Sequence, residues 1–386
     1  MLKKTKKICM SLIVALCITA CDNNNSTNHT IESQSTKQTT ILFYESSSVR
    51  SKTNSKVSSD RSYDKDLSSD SKPNNKIQFD SDIIIIDGSY DHLSCLTKKG
   101  TLYVSGVAIK SDFKIKDFNA RGDTFYIVSD SGDLYENKWT DSDQETYDMS
   151  KATLLKNKIK SAFHDSRNGA YITADNELYV WGDNEYGQIG NGVKNDYLGW
   201  NKEMSKAVKV LGNVKKVMIQ DMAVCALTQN GELYTWGQGR SSKPSVVKNN
   251  IKDFSFSGRN LAAISNNNEL FIFGQNDYGQ FGNGKCGYDD DPYYLAMKDV
   301  TSVSCSYGSY GGVFIAATTK NGDLYTWGGD ERLTTVHGDN FCQLTPKKIG
   351  EGFKSVSLGV NIGYALSNDN EIFNWELISY GNLKKE

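Results

Sequence analysis

The strongest constraint on the fold is a short strand pattern, an apolar residue followed by an aromatic one, that recurs along most of the chain. Its seven copies are Leu102-Tyr103, Leu134-Tyr135, Leu178-Tyr179, Leu233-Tyr234, Leu270-Phe271, Leu324-Tyr325 and Ile372-Phe373. Most copies follow a turn such as Asn230-Gly231, and several precede Trp-Gly. One unit of this size cannot bury its own apolar face, so the repeat predicts an architecture in which neighbouring units share a core.

Residues 214–250 form the clearest unit. The predicted strands are Val214–Ile219, Ala223–Thr228 and Glu232–Gly237. Asn230-Gly231 is a strong hairpin signal between the second and third strands. Pro244 opens a weaker fourth strand, and Pro346 holds the same place in the sixth unit, where an outermost strand tolerates proline.

Seven units of four antiparallel strands predict an all-β fold, a seven-bladed β-propeller over residues 80–386. A β-solenoid is the alternative, but the uneven spacing of the units argues against regular coils. The chain ends soon after the third strand of the seventh unit. We therefore expect the segment near Lys76–Phe79 to supply the missing outer strand and close the ring.

The first twenty residues predict a signal peptide. Four lysines precede an apolar stretch, Ile8–Ala20, that is too short to cross a bilayer. It ends in Thr19-Ala20-Cys21, which resembles a bacterial lipoprotein cleavage site, with Cys21 as the lipidated residue; an ordinary secretory signal is the alternative. Residues 21–79, rich in Ser, Asn and Lys, predict a disordered tether. The expected location is extracytoplasmic, with the protein lipid-anchored to a bacterial membrane in the cell envelope.

Charge and cysteine usage limit the classes of partner. The formal net charge is −2 and no basic cluster occurs, so nucleic acid is not an expected partner. Five cysteines follow Cys21, and none forms a Cys-x-x-Cys pair. A disulfide between Cys286 and Cys342 is one interpretation, and free thiols are the other.

Two segments resemble a known repeat. Residues 181–192 read Trp-Gly-Asp-Asn-Glu-Tyr-Gly-Gln-Ile-Gly-Asn-Gly, and residues 273–284 repeat them almost residue for residue. Both resemble the hallmark of the regulator of chromosome condensation repeats. The resemblance covers about residues 82–386, although units one and two lack Trp-Gly. It implies a seven-bladed propeller that acts mostly through protein contacts. Nucleotide exchange on a nuclear GTPase is not expected of an exported chain.

The hallmark residues have a structural interpretation. Their large aromatic members are expected to fill the space between blades; they are Trp181, Trp236, Trp327, Tyr186 and Tyr278. Gly279–Cys286 approaches a P-loop but lacks the last hydroxyl, and the residues after it cannot form a helix, so no nucleotide is expected. The acidic run Asp289–Asp291 is either a solvated loop or a loose calcium site. We predict no catalytic residue, metal or cofactor, and no enzyme activity.

The predicted binding surface lies in the loops whose length and composition differ most between repeats. In a four-stranded meander the first and third loops share one face, and the third loops of units three, five and six are long, at residues 182–204, 274–297 and 328–344. These loops and the first loop of unit six carry the candidate partner-binding residues, Tyr197, Trp200, Tyr288, Asp289, Asp290, Asp291, Tyr293, Tyr294, Tyr307, Tyr310 and Phe341. Exposed aromatics with a few charges are typical of interface hot spots. The alternative is that these rings fold back over their own blades.

The sequence therefore predicts a membrane-anchored extracytoplasmic propeller that binds an unknown protein partner through one face. A cell-surface carbohydrate-binding or glycan-hydrolysing propeller is an alternative, and hydrolysis would need a carboxylate pair about 5–10 Å apart. A passive envelope assembly scaffold is a third interpretation.

Overall fold

The computed structural model describes residues 79–88, 93–138, 148–165, 167–194, 204–287, 292–306, 312–330 and 342–385. Within these ranges the chain forms strands and three short 3-10 helices, at Met149–Lys151, Met204–Lys206 and Leu377–Ser379. None of the described helices has the length and apolar character needed to cross a bilayer.

The strands form seven sheets of four, each in chain order. Blade 1 consists of β1 (Ile83–Asp87), β2 (Ser94–Thr97), β3 (Leu102–Val104) and β4 (Val107–Ala108). Blade 2 consists of β5 (Ile115–Arg121), β6 (Thr124–Ser129), β7 (Leu134–Lys138) and β8 (Thr153–Lys156). Blade 3 consists of β9 (Ile159–His164), β10 (Asn168–Thr173), β11 (Leu178–Gly182) and β12 (Val208–Leu211). Blade 4 consists of β13 (Val214–Gln220), β14 (Ala223–Thr228), β15 (Leu233–Gly237) and β16 (Ser245–Lys248).

The last three blades follow the same plan. Blade 5 consists of β17 (Ile251–Phe256), β18 (Leu261–Ser265), β19 (Leu270–Phe273) and β20 (Tyr293–Met297). Blade 6 consists of β21 (Val300–Cys305), β22 (Val313–Thr319), β23 (Leu324–Gly329) and β24 (Gln343–Gly350). Blade 7 consists of β25 (Phe353–Leu358), β26 (Ile362–Ser367), β27 (Ile372–Glu376) and β28 (Lys384–Lys385). The predicted seven-bladed propeller of four-stranded antiparallel blades is confirmed.

The core lies between neighbouring blades rather than within them. One cluster joins Ile264 and Phe281 of blade 5 to Val303 and Trp327 of blade 6, and the other clusters join neighbouring blades in the same way. Trp236 and Trp327 are fully buried, as their predicted filling role requires. Each indole N–H donates to a backbone oxygen in the third loop of the preceding blade, with Trp236 Nε1 2.9 Å from the oxygen of Gln188. The hallmark loop therefore fastens one blade to the next.

The ring closes in a way that the sequence did not predict. The outer strand of blade 7 is β28, in which Lys384 and Lys385 pair with Asn374 and Phe373. The expectation that the segment near Lys76–Phe79 supplies this strand is wrong. The chain can return on itself because Tyr380, which follows the last 3-10 helix, adopts a left-handed conformation with φ 46°.

Phe79 has a different place. Its ring packs edge-on against Tyr103 of blade 1, with the ring centroids 4.9 Å apart. Pro346 also differs from expectation, because it lies inside the long outer strand β24 rather than at the start of that strand. It falls where the register shifts between Thr326 and Gly328, and an irregular edge strand does not need its N–H.

Candidate functional site

A cavity of about 670 Å³ opens on the face formed by the first and third loops. Blades 2, 3 and 4 surround it. Its walls are Arg121, Gly122, Thr124, Tyr126, Glu136, Lys138, His164, Asp165, Arg167, Asn168, Gly169, Trp181, Gln220, Asp221 and Met222. These residues come mainly from the short first loops, and none of the predicted partner-binding residues is among them.

One position explains why the cavity lies over these three blades. This position lies at the end of the innermost strand of each blade, where the first loop begins. In blades 2 to 7 it is occupied by Arg121, Asp165, Gln220, Ser257, Ser306 and Gly359. The backbone shows that these residues are equivalent. The N–H groups of Asp165, Ser257, Ser306 and Gly359 each donate to a backbone oxygen at the start of the second strand of the same blade. Blades 2 to 4 therefore place large polar or charged side chains at the mouth, and blades 5 to 7 place small ones.

Arg121 occupies the centre of this arrangement. It also lines a second cavity, of about 110 Å³, around the propeller axis with Ser255, Ser304 and Ser357 of the inner strands. Its guanidinium lies over the Phe163 ring, 5.4 Å from the centroid. Its Nε is buried and has no hydrogen-bond acceptor among the described residues. A buried donor left unpaired costs about 1–3 kcal/mol, so this side chain has unused binding capacity.

Two of the three carboxylates that line the cavity are held by nearby groups. Asp165 accepts hydrogen bonds from the backbone N–H of Arg167 and Asn168, at 2.7 and 2.6 Å. Burial raises the pKa of the Asp165 carboxyl, although these two bonds and the neighbouring arginines oppose the shift. Glu136 forms an exposed ion pair with Lys138 at 3.9 Å. Neither carboxylate neutralises Arg121 through a direct hydrogen bond.

His164 is the buried histidine of the cavity, and it joins blades 2 and 3. Its ring Nε2 lies 3.2 Å from the backbone oxygen of Thr124, and its backbone N–H donates to Asn119 Oδ1 at 2.9 Å. Its ring lies 4.4 Å from that of Tyr126. Burial lowers the pKa of His164 to about 4, and the positive charge of Arg121 adds to the effect. The ring is therefore neutral near pH 7 and donates its Nε2 proton to Thr124.

Aromatic side chains make the deeper wall rigid. Trp181 and Tyr126 are buried, and their ring centroids are 6.3 Å apart. Trp181 lies directly against the backbone of Gly169, where an added Cβ would come within 2.0 Å of the indole. The cavity thus has an apolar wall at depth and charged groups near the mouth.

Two of the predicted partner-binding residues are described, and both lie away from this cavity. Tyr293 and Tyr294 belong to the outer strand β20, so the predicted loop 274–297 was drawn too long. Tyr293 is 40% exposed, and its ring centroid is 4.2 Å from Lys248 Nζ. Tyr294 is half-buried and stacks on Phe281 at 6.4 Å, as the fold-back interpretation expects.

The other predicted sites lie outside the described residues, namely Cys21, Tyr197, Trp200, Tyr288, Asp289, Asp290, Asp291, Tyr307, Tyr310 and Phe341. Across the described ranges, no group of three or more His, Cys, Asp or Glu side chains is placed to hold a metal ion. The cavity residues were missed because they stand in three different units. Aligning the ends of the inner strands would have shown that units two to four differ from units five to seven.

Comparisons with known proteins agree with the resemblance seen in the sequence. The family described as Regulator of chromosome condensation (RCC1) repeat matches residues 166–188, which include part of the cavity wall. The human E3 ubiquitin-protein ligase HERC2 is 26% identical over 297 residues, which are 70% of this chain and 5% of that protein. The mitochondrial RCC1 domain-containing protein RUG3 of Arabidopsis thaliana is 26% identical over 245 residues, covering 55% of this chain and 52% of that protein.

Solved structures show the same fold. Human WBSCR16 superposes with a TM-score of 0.55 at 17% identity, covering 72% of this chain and 79% of that one. Prp20p from Saccharomyces cerevisiae gives 0.50 at 16% identity, covering 69% and 73%. This chain spans only a small part of HERC2 and about half of RUG3. The matches show similarity to an RCC1 repeat at residues 166–188 and a shared propeller fold.

Proposed function

We propose that this chain is a lipid-anchored binding protein of the bacterial cell envelope, and that its propeller captures a protein partner on the face of the first and third loops. The observation that carries the proposal is Arg121, a half-buried cation at the junction of two cavities whose Nε has no acceptor among the described residues. An acidic side chain of the partner enters the cavity and pairs with it. Prp20p, which has the same fold, binds Gsp1p and histones.

The chemistry of arginine favours a carboxylate as the group that enters. A guanidinium presents its N–H donors in a planar fork that matches the two oxygens of a carboxylate. The cavity has room for such a side chain, and Lys138 and Arg167 stand on the same wall. Pairing would satisfy the buried Nε donor, so the bound state removes a cost that the free protein bears.

Binding suits the site better than catalysis does. A general acid or base needs a proton that it can exchange with a substrate. The Nε2 of His164 is engaged with the Thr124 oxygen, and Asp165 accepts from two N–H groups of its own loop. Both side chains therefore act as supports that shape the cavity.

The long third loops complete the surface in this proposal. Their aromatic residues, including Tyr197, Trp200 and Phe341, would contact the partner around the cavity. Cys21 would carry the lipid, and residues 21–79 would span the distance between membrane and propeller. Changing Cys21→Ser should move the protein from the membrane fraction to the soluble fraction and abolish labelling by a radioactive fatty acid.

The test of the binding site compares Arg121→Gln with Lys98→Gln, an exposed change on the opposite face. Full-length proteins are produced in the native envelope, cross-linked, and analysed by quantitative mass spectrometry. We expect one or more proteins to be captured by the wild type and by Lys98→Gln but reduced at least tenfold with Arg121→Gln, since a charge-assisted pair contributes about 1.5–3 kcal/mol. A captured partner in which one Glu or Asp is changed to its amide should show the same loss.

Equal capture by all three proteins would contradict the role of Arg121. Retention of envelope polysaccharide in place of a protein would favour the carbohydrate-binding alternative. In each variant the thermal transition is measured first, so that a loss of folding is not mistaken for a loss of binding.

A further inference from the structure

The inner strands of all seven blades begin with the same irregularity. In each blade the second residue of the inner strand has no partner in the register with the neighbouring strand, so it is the extra residue of a β-bulge. Bulges re-aim side chains and are common at the rims of barrels. These bulges lie at the end of the inner strands opposite to the Arg121 cavity, on the face of the second and fourth loops.

Lysine occupies five of the seven bulge positions. The bulge residues of blades 1 to 7 are Ile84, Lys116, Lys160, Lys215, Lys252, Thr301 and Lys354. Lys and Arg together make up 44 of the 386 residues, far below the share found at this position. Composition therefore does not explain the lysines.

The five lysines surround the propeller axis, because the inner strands surround it. Neighbouring blades are in direct contact there, since Lys215 Nζ donates to the backbone oxygen of Lys252 at 2.7 Å. In the next layer along the axis, Lys216 Nζ lies 2.7 Å from both Asp253 Oδ1 and the oxygen of Phe254. The sequence shows no basic cluster because each of these units contributes a single bulge lysine.

The hydrogen-bond partners of these lysines are neutral. In blades 3, 5 and 7 the Nζ donates to the side-chain oxygen of an asparagine in the hairpin turn of the same blade, and the pairs are Lys160–Asn176, Lys252–Asn268 and Lys354–Asn370. None of the five bulge lysines forms an ion pair with a carboxylate of the described residues. An ammonium group has three N–H donors, so one amide oxygen leaves two of them for a ligand.

Positive charge is concentrated at this rim. The bulge lysines and Lys216 supply six cations to two layers of the inner strands, whereas the carboxylates of these layers are Asp117 and Asp253. Asp253 is already paired with Lys216. Burial lowers the pKa of Lys252, and the charges of Lys320 and Lys215 add to the shift, although Asp253 opposes it. The ammonium groups therefore repel one another, and an anion between them would reduce that repulsion.

We propose that the lysine ring, defined as Lys116, Lys160, Lys215, Lys252 and Lys354, binds a compact anion with two or more phosphate groups on the propeller axis. Lysine binds phosphate as a point charge on a flexible stem, so several lysines can converge on one ligand. The ligand is compact because the cations are confined to the rim.

The surroundings of the lysine ring exclude a long polyanion. Each hairpin turn is followed by a carboxylate at the start of the third strand in blades 3 to 5, at Glu177, Glu232 and Glu269. A nucleic acid needs a basic stripe that follows its backbone, and these carboxylates would repel it.

The first test measures binding of inorganic tripolyphosphate to the full-length protein by isothermal titration calorimetry. We expect an affinity that falls as the salt concentration rises, and that falls at least tenfold in the double variant Lys215→Gln/Lys252→Gln. The matched control is Lys194→Gln/Lys243→Gln, which removes two exposed lysines from the third loops of blades 3 and 4 and changes the net charge equally. The control should bind as the wild type does.

The second test locates the site without any substitution. The full-length protein is treated with an amine-acylating reagent, with and without tripolyphosphate, and the modified peptides are quantified by mass spectrometry. The five lysines of the ring should react more slowly when tripolyphosphate is present, whereas Lys194 and Lys243 should react at the same rate. This result does not depend on the folding of a variant.

A competition arm distinguishes the two sources of clustered phosphate. Vesicles of phosphatidylcholine with cardiolipin, whose head group carries two phosphates, are added to the complex with tripolyphosphate. Displacement of tripolyphosphate would support a lipid head group as the ligand, and retention would support a soluble phosphate compound.

Equal loss of affinity in the two double variants would overturn the proposal, because it would show attraction by the surface charge as a whole. Protection of Lys194 and Lys243 to the same extent as the ring, or no binding of tripolyphosphate, would overturn it as well. The proposal is independent of the role of Arg121, since no lysine of the ring lines the cavity.

Discussion

At the scale of single residues, comparison between blades separates structural positions from functional ones. Asn168 and Asn260 each donate through Nδ2 to two backbone oxygens of the third strand and the loop after it, and each has a buried Oδ1 without a partner among the described residues. The same arrangement in two blades indicates a feature of the repeat, although Asn168 lines the cavity. Arg121 has no such counterpart, because the equivalent position in the other described blades is acidic, neutral or small.

His164 gives a prediction about pH. Its pKa in the folded protein is about 4, below the ordinary 6.5, because burial disfavours the charged ring. Between these values the unfolded chain binds a proton that the folded protein does not. The free energy of unfolding therefore falls as the pH drops from about 6.5 to about 4, by roughly 2–3 kcal/mol from this residue, and falls no further from this cause at lower pH.

The measurement is urea denaturation at pH 7 and pH 4.5 for the wild type and for His164→Gln. The glutamine keeps a donor for the Thr124 oxygen and cannot titrate, so the variant should lose less stability on acidification. Acids with raised pKa values, such as Asp165, titrate in both proteins, and the difference between the two proteins isolates the histidine. An identical pH dependence would show that His164 is accessible to protons in the folded state.

At the scale of elements, the third loop of one blade and the tryptophan of the next act as a pair. Trp236 donates to Gln188, and Trp327 donates to Gln280, both at 2.9 Å. Trp375 of blade 7 is equally buried, but its Nε1 has no acceptor among the described residues. The hallmark sequence is missing from the third loop of blade 6. Blade 7 therefore keeps the tryptophan, but the preceding blade lacks the hallmark sequence whose backbone oxygen accepts the indole N–H in blades 4 and 6.

This difference predicts unequal effects of the same substitution. Trp236→Phe removes the hydrogen bond to the Gln188 oxygen, whereas Trp375→Phe removes a donor that has no acceptor among the described residues. Both changes lose similar apolar contact. We expect Trp236→Phe to lower the free energy of unfolding by about 1–2 kcal/mol more than Trp375→Phe, measured by urea denaturation. Equal losses would mean that the indole bond to the loop contributes little.

The accuracy of the sequence-based prediction differs from one strand to another. The strands of blade 4 were predicted almost to the residue, because alternation and the Asn230-Gly231 turn fix them locally. Tyr293 was assigned to a loop because the outer strand pairs on one side only and carries a weak pattern. The cavity itself was not predicted, since Arg121, Asp165 and Asp221 come together only when three blades pack side by side.

At the scale of the whole molecule, the ring is closed by packing between its first and last blades. Ile83 and Ile86 of blade 1 share a buried cluster with Tyr364 and Ile372 of blade 7. The N–H of Ile83 donates to Asn370 Oδ1 at 2.9 Å, and no strand is exchanged between the two blades within the described ranges. Within the described ranges, the junction is therefore built like the contacts between other neighbouring blades.

Two changes at this junction distinguish packing from strand pairing. Ile83→Ala empties a buried site, since Ile83 is 2% exposed, and should cost about 2–4 kcal/mol. Removal of residues 384–386 takes away two exposed lysines of β28 and the surface ion pair of Lys385 with Glu371, which should cost no more than about 1 kcal/mol. Both values are read from urea denaturation of the full chain. If the truncation costs more than Ile83→Ala, or splits the transition into two steps, strand pairing at β28 rather than the apolar junction holds the ring closed.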